Sequence, residues 1–232
     1  GSTVDTFIDA LWLEDGLSLN TLAAYRRDLV GFGAWLVLRC TTLLQTTELD
    51  LQAYFADAHA VTKATTANRR LTVFKRFFRW ALRERLVTQD PTLKLQSAKK
   101  ALRVPKTLTE AQVEALLAAP DTSTALGVRD RTMLELMYAS GLRVSELVTL
   151  KTLNLGLNDH VLRVMGKGSK ERMVPFGEMA GQWLGRYLAH ARGELLAGKQ
   201  TDDLFITVRG ATAGTAMTRV MFWMVVKKYA LA

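Results

Sequence analysis

The stretch from Ala139 to Leu147 constrains the fold more than any other part of the chain. It follows an apolar run with helical spacing, and Gly141 stands where a helix is expected to end, because a left-handed closing residue is strained unless it is glycine. Arg143 then lies at a corner between two helices, with Glu146 in the next one. An arginine held there could bind two phosphate oxygens, although a surface salt bridge between Arg143 and Glu146 is the plainer interpretation.

A second stretch, farther along the chain, predicts a β-hairpin. Residues 161–165 and 171–175 are rich in strand-forming side chains, and they flank a glycine-rich turn. The glycines on both sides of Lys167 would let a ligand approach the backbone closely while the ammonium group reaches forward. Lysines at hairpin tips also serve solubility, so the hairpin by itself does not establish a binding site.

The first 95 residues have the periodicity of helices and show few strand signals. The apolar spacing indicates four helices, at about 4–14, 20–36, 47–58 and 65–85. Gly16 is placed to end the first helix, and Asn20 or Thr21 to cap the second. We therefore expect a compact helical domain over residues 1–95.

The charge of the chain points to a polyanionic partner. Its formal net charge is +9, and the basic residues are concentrated between Lys63 and Lys106, where only Glu84 and Asp90 oppose them. Nucleic acid is the first candidate partner and an anionic membrane surface the second. One stripe of the fourth helix contains Arg69, Arg76, Arg79 and Arg83. Such stripes are usually solvated faces, but the scarcity of nearby acids favours contact with DNA.

The chain is expected to contain a second domain. Residues 96–107 are basic, include Pro105 and lack a clear period, which is typical of a linker. A capping-box pattern at Thr109–Gln112 then opens residues 108–232, where helical segments surround the hairpin. The fold class that follows is mainly α, with a small sheet in the second domain.

The two stretches described first, taken together, resemble the tyrosine recombinases of the phage-integrase family. The motifs are Gly-Leu-Arg-Val-Ser-Glu-Leu at 141–147 and Gly-Lys-Gly-Ser-Lys-Glu-Arg at 166–172. The resemblance is narrower than the family, because several segments favour the Xer type and, within it, the XerD branch over the XerC branch. These segments are 11–14, 20–22, 24–29, 217–219 and 222–223. The resemblance covers nearly the whole chain. It implies an N-terminal SAM-like core-binding domain and a catalytic domain that together clamp a DNA duplex.

This resemblance implies strand transfer to a tyrosine, which exchanges one phosphodiester for another and needs no external energy source. In the family pattern Arg143 grips the scissile phosphate, Lys167 protonates the leaving 5′-hydroxyl and Glu146 orients the basic groups. Lys170 and Arg172 are expected to contact nearby backbone phosphates. No cofactor or metal is expected, because arginines would supply the positive charge and the histidines lack ligand spacing.

Part of the family pattern has no counterpart that we can place in residues 1–232. This part is a His-x-x-Arg motif, a further His or Trp, and the nucleophilic tyrosine. All five tyrosines of the chain occur in helical patterns, and Tyr229 matches a helix tyrosine of the family. We therefore expect a catalytic domain that is incomplete within these residues, and we expect residues 1–232 alone not to cut DNA.

The resemblance also implies a biological setting. It is the resolution of chromosome dimers at a dif-like DNA site, by a heterotetramer with a XerC-like recombinase and under a septal DNA translocase. The sequence shows neither an apolar run of bilayer length nor a leader, which predicts a cytoplasmic protein. Two alternatives stay open, namely a non-catalytic DNA-binding fragment or regulator, and a phage or transposon integrase.

Overall fold

The computed structural model describes residues 2–59, 62–97, 107–166 and 170–231. The chain divides into two compact units, Gly1–Val104 and Pro105–Ala232. The expected linker, residues 96–107, lies almost entirely outside the described residues, so its limits stay a prediction.

The described part of the first unit is built from four α-helices, as the apolar spacing predicted. They are α1 (Thr3–Asp15), α2 (Leu19–Val37), α3 (Glu48–His59) and α4 (Ala64–Arg83), with a 3₁₀ turn at Leu43–Gln45. Gly16 ends α1 with a φ of 59°, which confirms its predicted role. The cap of α2 is Ser18 and not Asn20 or Thr21, because the extended backbone of Ser18 lets its hydroxyl accept the Thr21 N–H.

Aromatic side chains fill the core of the first unit. The rings of Phe7 and Phe77 meet edge to face at 5.4 Å, and those of Phe32 and Phe74 stack at 4.7 Å. Both arrangements are favourable for aromatic pairs and add to the burial of a large apolar area. These contacts join α1, α2 and α4 into one helical body.

The described part of the second unit combines helices with one small antiparallel sheet. Its helices are α5 (Glu110–Ala118), α6 (Ala125–Ser140), α7 (Val144–Val148), α8 (Gly177–Arg186), α9 (Arg192–Leu196) and α10 (Arg219–Ala230). Its strands, in sheet order, are β1 (Leu155–Gly156), β2 (Val161–Met165) and β3 (Glu171–Pro175). Shorter turns lie at Thr152–Asn154 (3₁₀) and Tyr187–Ala191 (π).

The sheet and the helices of the second unit share one core. Leu162 of β2, Leu147 of α7 and Leu184 of α8 have no exposed surface, and they belong to the same buried cluster as Leu136 of α6. The predicted hairpin is present, with Val161 opposite Pro175 and Met165 opposite Glu171. The hairpin and the helix corner are therefore held against a common apolar interior. Among the described residues, no helix combines the length and the apolarity that crossing a bilayer would require.

Candidate active site

The corner that carries Arg143 is fixed on both sides. Gly141 closes α6 with a φ of 62°, and its N–H donates to Met137 O at 2.9 Å. Leu142 is buried in the core, and Arg143 follows in an extended conformation as the N-cap of α7. The buried leucine and the helix cap leave the backbone of Arg143 little freedom, while its side chain remains 70% exposed.

Glu146 is the centre of the polar contacts at this corner. Its side chain is only 7% exposed, and its carboxylate accepts a bond from the backbone N–H of Arg143 at 2.9 Å and one from the guanidinium of Arg143 at 3.1 Å. The contact between Arg143 and Glu146 that the sequence left as an alternative to phosphate binding is thus present. It uses one nitrogen of the Arg143 guanidinium, and the exposed remainder faces solvent.

Arg172 of β3 reaches the same carboxylate with two nitrogens. Its Nη1 donates to Glu146 Oε1 at 2.8 Å, and its Nη2 donates to Oε2 at 3.1 Å. This paired bond, followed by the contacts from Arg143, lowers the pKa of the Glu146 carboxyl to about 2, although burial opposes the shift. Glu146 is consequently ionised at any working pH and holds two arginines of different elements.

An open cleft of about 500 Å³, the arginine cleft, lies beside this ion cluster. It is lined by Gly141, Arg143, Gly166, Lys170, Glu171 and Arg172. The N–H of Gly166 donates to Lys170 O at 2.7 Å and closes the base of the hairpin turn at the cleft. Lys167, the predicted general acid, lies outside the described residues. The described cations that line the cleft outnumber the single lining carboxylate, so the cleft favours an anion such as a phosphodiester.

Three arginines of the basic stripe on α4 are paired with carboxylates. Arg69 makes two bonds to Asp28, at 2.9 and 3.1 Å, and Arg83 makes two to Glu14, each 2.8 Å. Arg76 lies 3.4 Å from Asp15. The expectation of scarce acidic partners was therefore wrong, because Glu14, Asp15 and Asp28 come from α1 and α2. Of the acids near α4 in sequence, Glu84 also accepts a bond from Arg83, at 3.0 Å. Arg79 is exposed and has no ion pair within the described residues.

A buried polar network in the second unit was not predicted from the sequence. Arg129 and Asp130 pair inside the second unit at 2.7 Å, and the Tyr229 hydroxyl donates to Asp130 at 2.8 Å. Burial, and then the bond to Asp130, raise the pKa of Tyr229. A phenol that keeps its proton and donates it to a carboxylate is a poor nucleophile, which agrees with the assignment of Tyr229 as a helix tyrosine. The sequence did contain a signal for this network, because Arg129 and Asp130 are adjacent charged residues within a largely apolar helical segment.

Two protein families account for most of the chain. Residues 106–232 match the phage integrase family, and residues 4–85 match the phage integrase N-terminal SAM-like domain. The chain therefore belongs to the phage integrase family, the tyrosine-type site-specific DNA recombinases.

Comparison with curated relatives shows which branch of this family the chain resembles. The chain is 59% identical to the tyrosine recombinase XerD of Ralstonia nicotianae, over 98% of this chain and 73% of that protein. It is 48% identical to the XerD of Pseudomonas aeruginosa, over 98% of this chain and 75% of that protein. The resemblance to the Xer type and its XerD branch is thus confirmed.

A solved structure supports the fold at lower sequence identity. The fold is similar to that of lambda integrase in a tetramer bound to a Holliday junction, with a TM-score of 0.70 and 18% identity. The match covers 99% of this chain and 62% of the lambda integrase chain. At this identity the likeness concerns the fold alone.

Proposed function

We propose that the recombinase containing this chain cuts and rejoins DNA through a 3′-phosphotyrosyl intermediate, with Arg143 gripping the scissile phosphate. A tyrosine oxygen attacks phosphorus, the bond from phosphorus to the 5′ oxygen breaks, and that oxygen receives a proton. Rejoining reverses the same exchange, so the bond energy is conserved. The nucleophilic tyrosine is not assigned within residues 1–232.

The observation that carries this proposal is the half-free guanidinium of Arg143 at a rigid corner. Its backbone is fixed by the cap of α7, one of its nitrogens is held by Glu146, and 70% of the side chain is exposed toward solvent. A cation held in this way can stabilise charge on a pentacoordinate phosphate without reorganising in the transition state. Lys167, in the hairpin turn between β2 and β3, is our proposal for the acid that protonates the 5′ oxygen.

We also propose individual residues that contact DNA outside the cleavage centre. Lys170, which lines the arginine cleft, and Arg79, which is exposed on α4, are free to approach phosphates. Arg69, Arg76 and Arg83 are expected to share their charge between DNA and the carboxylates that now hold them. Their contribution to affinity should therefore be smaller than that of an unpaired arginine, since a phosphate must compete with a pre-formed pair.

The biological role that we propose is resolution of chromosome dimers at a dif-like site. The curated relatives carry the name XerD, which favours this role over that of a phage or transposon integrase. The proposal includes a XerC-like partner in a heterotetramer and a septal DNA translocase that controls it. A chromosomal DNA substrate makes the cytoplasm the expected location.

The experiment that tests the cleavage centre uses the recombinase expressed from its complete gene. A labelled duplex with a dif-like core and a nicked strand, incubated with a XerC-like partner, should yield a covalent adduct that survives denaturing electrophoresis. Arg143→Ala should abolish the adduct while DNA affinity falls only slightly, because one phosphate contact among many contributes little to binding. Arg209→Ala removes an exposed arginine from a loop of the same unit and serves as the charge-matched control.

Each result of this experiment has a defined meaning. Normal adduct formation by Arg143→Ala would exclude Arg143 as the arginine of the scissile phosphate. Loss of the adduct with both variants would show that adduct formation depends on the net charge of the unit and not on an arginine at the helix corner. A wild-type protein that binds the duplex without ever forming an adduct would support the regulator alternative.

A further inference from the structure

We propose that Arg172 is a positioning residue, which joins the β2–β3 hairpin to the Arg143 corner through Glu146, and is not a phosphate contact. The inference rests on the proposed function of Arg143 and Lys167, and it revises the role that the sequence indicated for Arg172. Three observations support it: the placement of Arg172 in the sheet, the four hydrogen bonds that the Glu146 carboxylate accepts, and the bond between Gly166 and Lys170 at the base of the hairpin.

The register of the sheet places Arg172 on the same face as the buried residues of β2, while 41% of its side chain remains exposed. Arg172 lies directly opposite Val164, and residues in directly opposed positions share a face of the sheet. Val164 is buried, and Leu162, two residues away on the same face, has no exposed surface. Arg163, opposite Met173, projects from the other face and is exposed. An arginine on the core-facing side of a strand is suited to an internal partner.

The partner of Arg172 is a carboxylate with little other access to solvent. Glu146 is 7% exposed, and its two oxygens accept two bonds from Arg172 and two from Arg143. A bidentate pair of guanidinium and carboxylate fixes orientation as well as distance, because the two parallel bonds define a plane. Glu146 therefore fixes the orientation of the Arg172 guanidinium on β3 relative to the N-terminus of α7.

The contact bears on catalysis because it lies at the base of the hairpin turn. Gly166 N–H donates to Lys170 O at 2.7 Å, and a Cβ built on Gly166 would lie 3.4 Å from Arg172 Nη1. The turn that contains Lys167 thus begins next to the guanidinium that Glu146 holds. Loss of the bonds between Arg172 and Glu146 would therefore disturb the Arg143 corner together with the strand ends that flank Lys167 in the sequence. A misplacement of about 1 Å is enough to slow such a step about 100-fold.

Three variants separate positioning from phosphate contact. Arg172→Gln removes both bonds and the charge, whereas Arg172→Lys keeps the charge but cannot make the planar pair. Arg163→Gln removes a charge from the opposite face of the same sheet and is the matched control. DNA affinity is measured by fluorescence anisotropy over a range of salt concentrations. Cleavage of the nicked duplex is measured at saturating protein, with the recombinase expressed from its complete gene.

Positioning predicts a loss in rate and not in affinity. We expect the cleavage rate constant to fall about 100-fold in Arg172→Gln and substantially in Arg172→Lys, with affinity and salt dependence like those of Arg163→Gln. The proposal is overturned if Arg172→Gln cleaves at the normal rate once saturated. It is equally overturned if the slope of log K against log salt drops by about 0.9 in Arg172→Gln alone, since that change marks one lost phosphate contact.

A second measurement depends neither on cleavage nor on DNA. Titration of the Glu146 carboxyl by NMR in residues 1–232 should give a pKa near the low wild-type value in Arg163→Gln and a clearly higher value in Arg172→Gln and Arg172→Lys. An unchanged value in both Arg172 variants would refute the contact itself. If the wild-type protein formed no adduct with DNA, the proposed function would fail, whereas this titration would still decide whether Arg172 holds Glu146.

Discussion

Removal of a single hydroxyl, in Tyr229→Phe, should measurably weaken the second unit. The Tyr229 hydroxyl donates to one oxygen of the Asp130 carboxylate at 2.8 Å. The other oxygen accepts two bonds from Arg129, at 2.9 and 2.7 Å, and Arg129 in turn donates to Ile206 O at 2.9 Å. Asp130 and Arg129 are both buried, so water cannot readily replace the lost donor.

The size of the effect follows from this geometry. A hydrogen bond to a charged group contributes about 1.5–3 kcal/mol, and the phenylalanine ring keeps the apolar contacts of the tyrosine. For a unit of this length, Pro105–Ala232, each kcal/mol should shift the melting temperature by about 3–5 °C. We therefore expect Tyr229→Phe to lower the melting temperature of the second unit by about 5–15 °C.

The assay is thermal unfolding followed by circular dichroism and calorimetry near neutral pH. Tyr138→Phe is the control, because Tyr138 is 64% exposed and its substitution should change the stability by less than about 0.5 kcal/mol. The pKa of Tyr229 is raised in the folded state, so its contribution is fully present below pH 10 and is lost as the pH rises further. Equal melting temperatures for Tyr229→Phe and Tyr138→Phe would refute the reasoning.

Two pairs of substitutions test the packing and the ion pairs. Gly127→Ala would place a Cβ 1.7 Å from Asp121 O and should destabilise the second unit by about 1–3 kcal/mol in urea unfolding. Gly185 is exposed, and a Cβ added there would have no atom within 4 Å, so Gly185→Ala should stabilise the unit by about 0.5–1 kcal/mol. If Gly127→Ala were neutral, the packing around α6 would be wrongly placed. Asp28→Asn disrupts a buried carboxylate and should cost the first unit about 1–2 kcal/mol, because Arg69, which makes both hydrogen bonds to it, is half-exposed. The exposed Asp57→Asn should cost under about 1 kcal/mol. Similar urea midpoints for these two aspartate variants would contradict the difference that we assign to burial.

Several parts of the fold could be predicted because they depend on local geometry. Gly141 ends α6 since only glycine accepts the required backbone without strain, and the same rule placed the end of α1 at Gly16. The hairpin followed from strand-forming segments around a glycine-rich turn. The N-cap of α2 was missed because Ser18, Asn20 and Thr21 all carry capping side chains, and the backbone conformation decides among them.

The electrostatic contacts were harder to predict because their partners are distant along the chain. Arg69 pairs with Asp28, 41 residues away, which the scarcity of acids around α4 concealed. Arg172 pairs with Glu146 across 26 residues, although both belong to motifs that the sequence had already marked. A charge pattern identifies which side chains are available, but burial and distance decide which of them neutralise one another.

The sequence by itself determined the helical class, the corner at Arg143, the hairpin and the family, since each of these depends on residue types at fixed local spacing. Only the tertiary structure decided that Glu146 holds two arginines, and that Arg172 is one of them while Arg163 is not. The physical reason is that strand register and helix packing select the partner of each charge. The residue types therefore identified the candidate site, but the folded arrangement decides which charges in it are paired and which remain available to a phosphate.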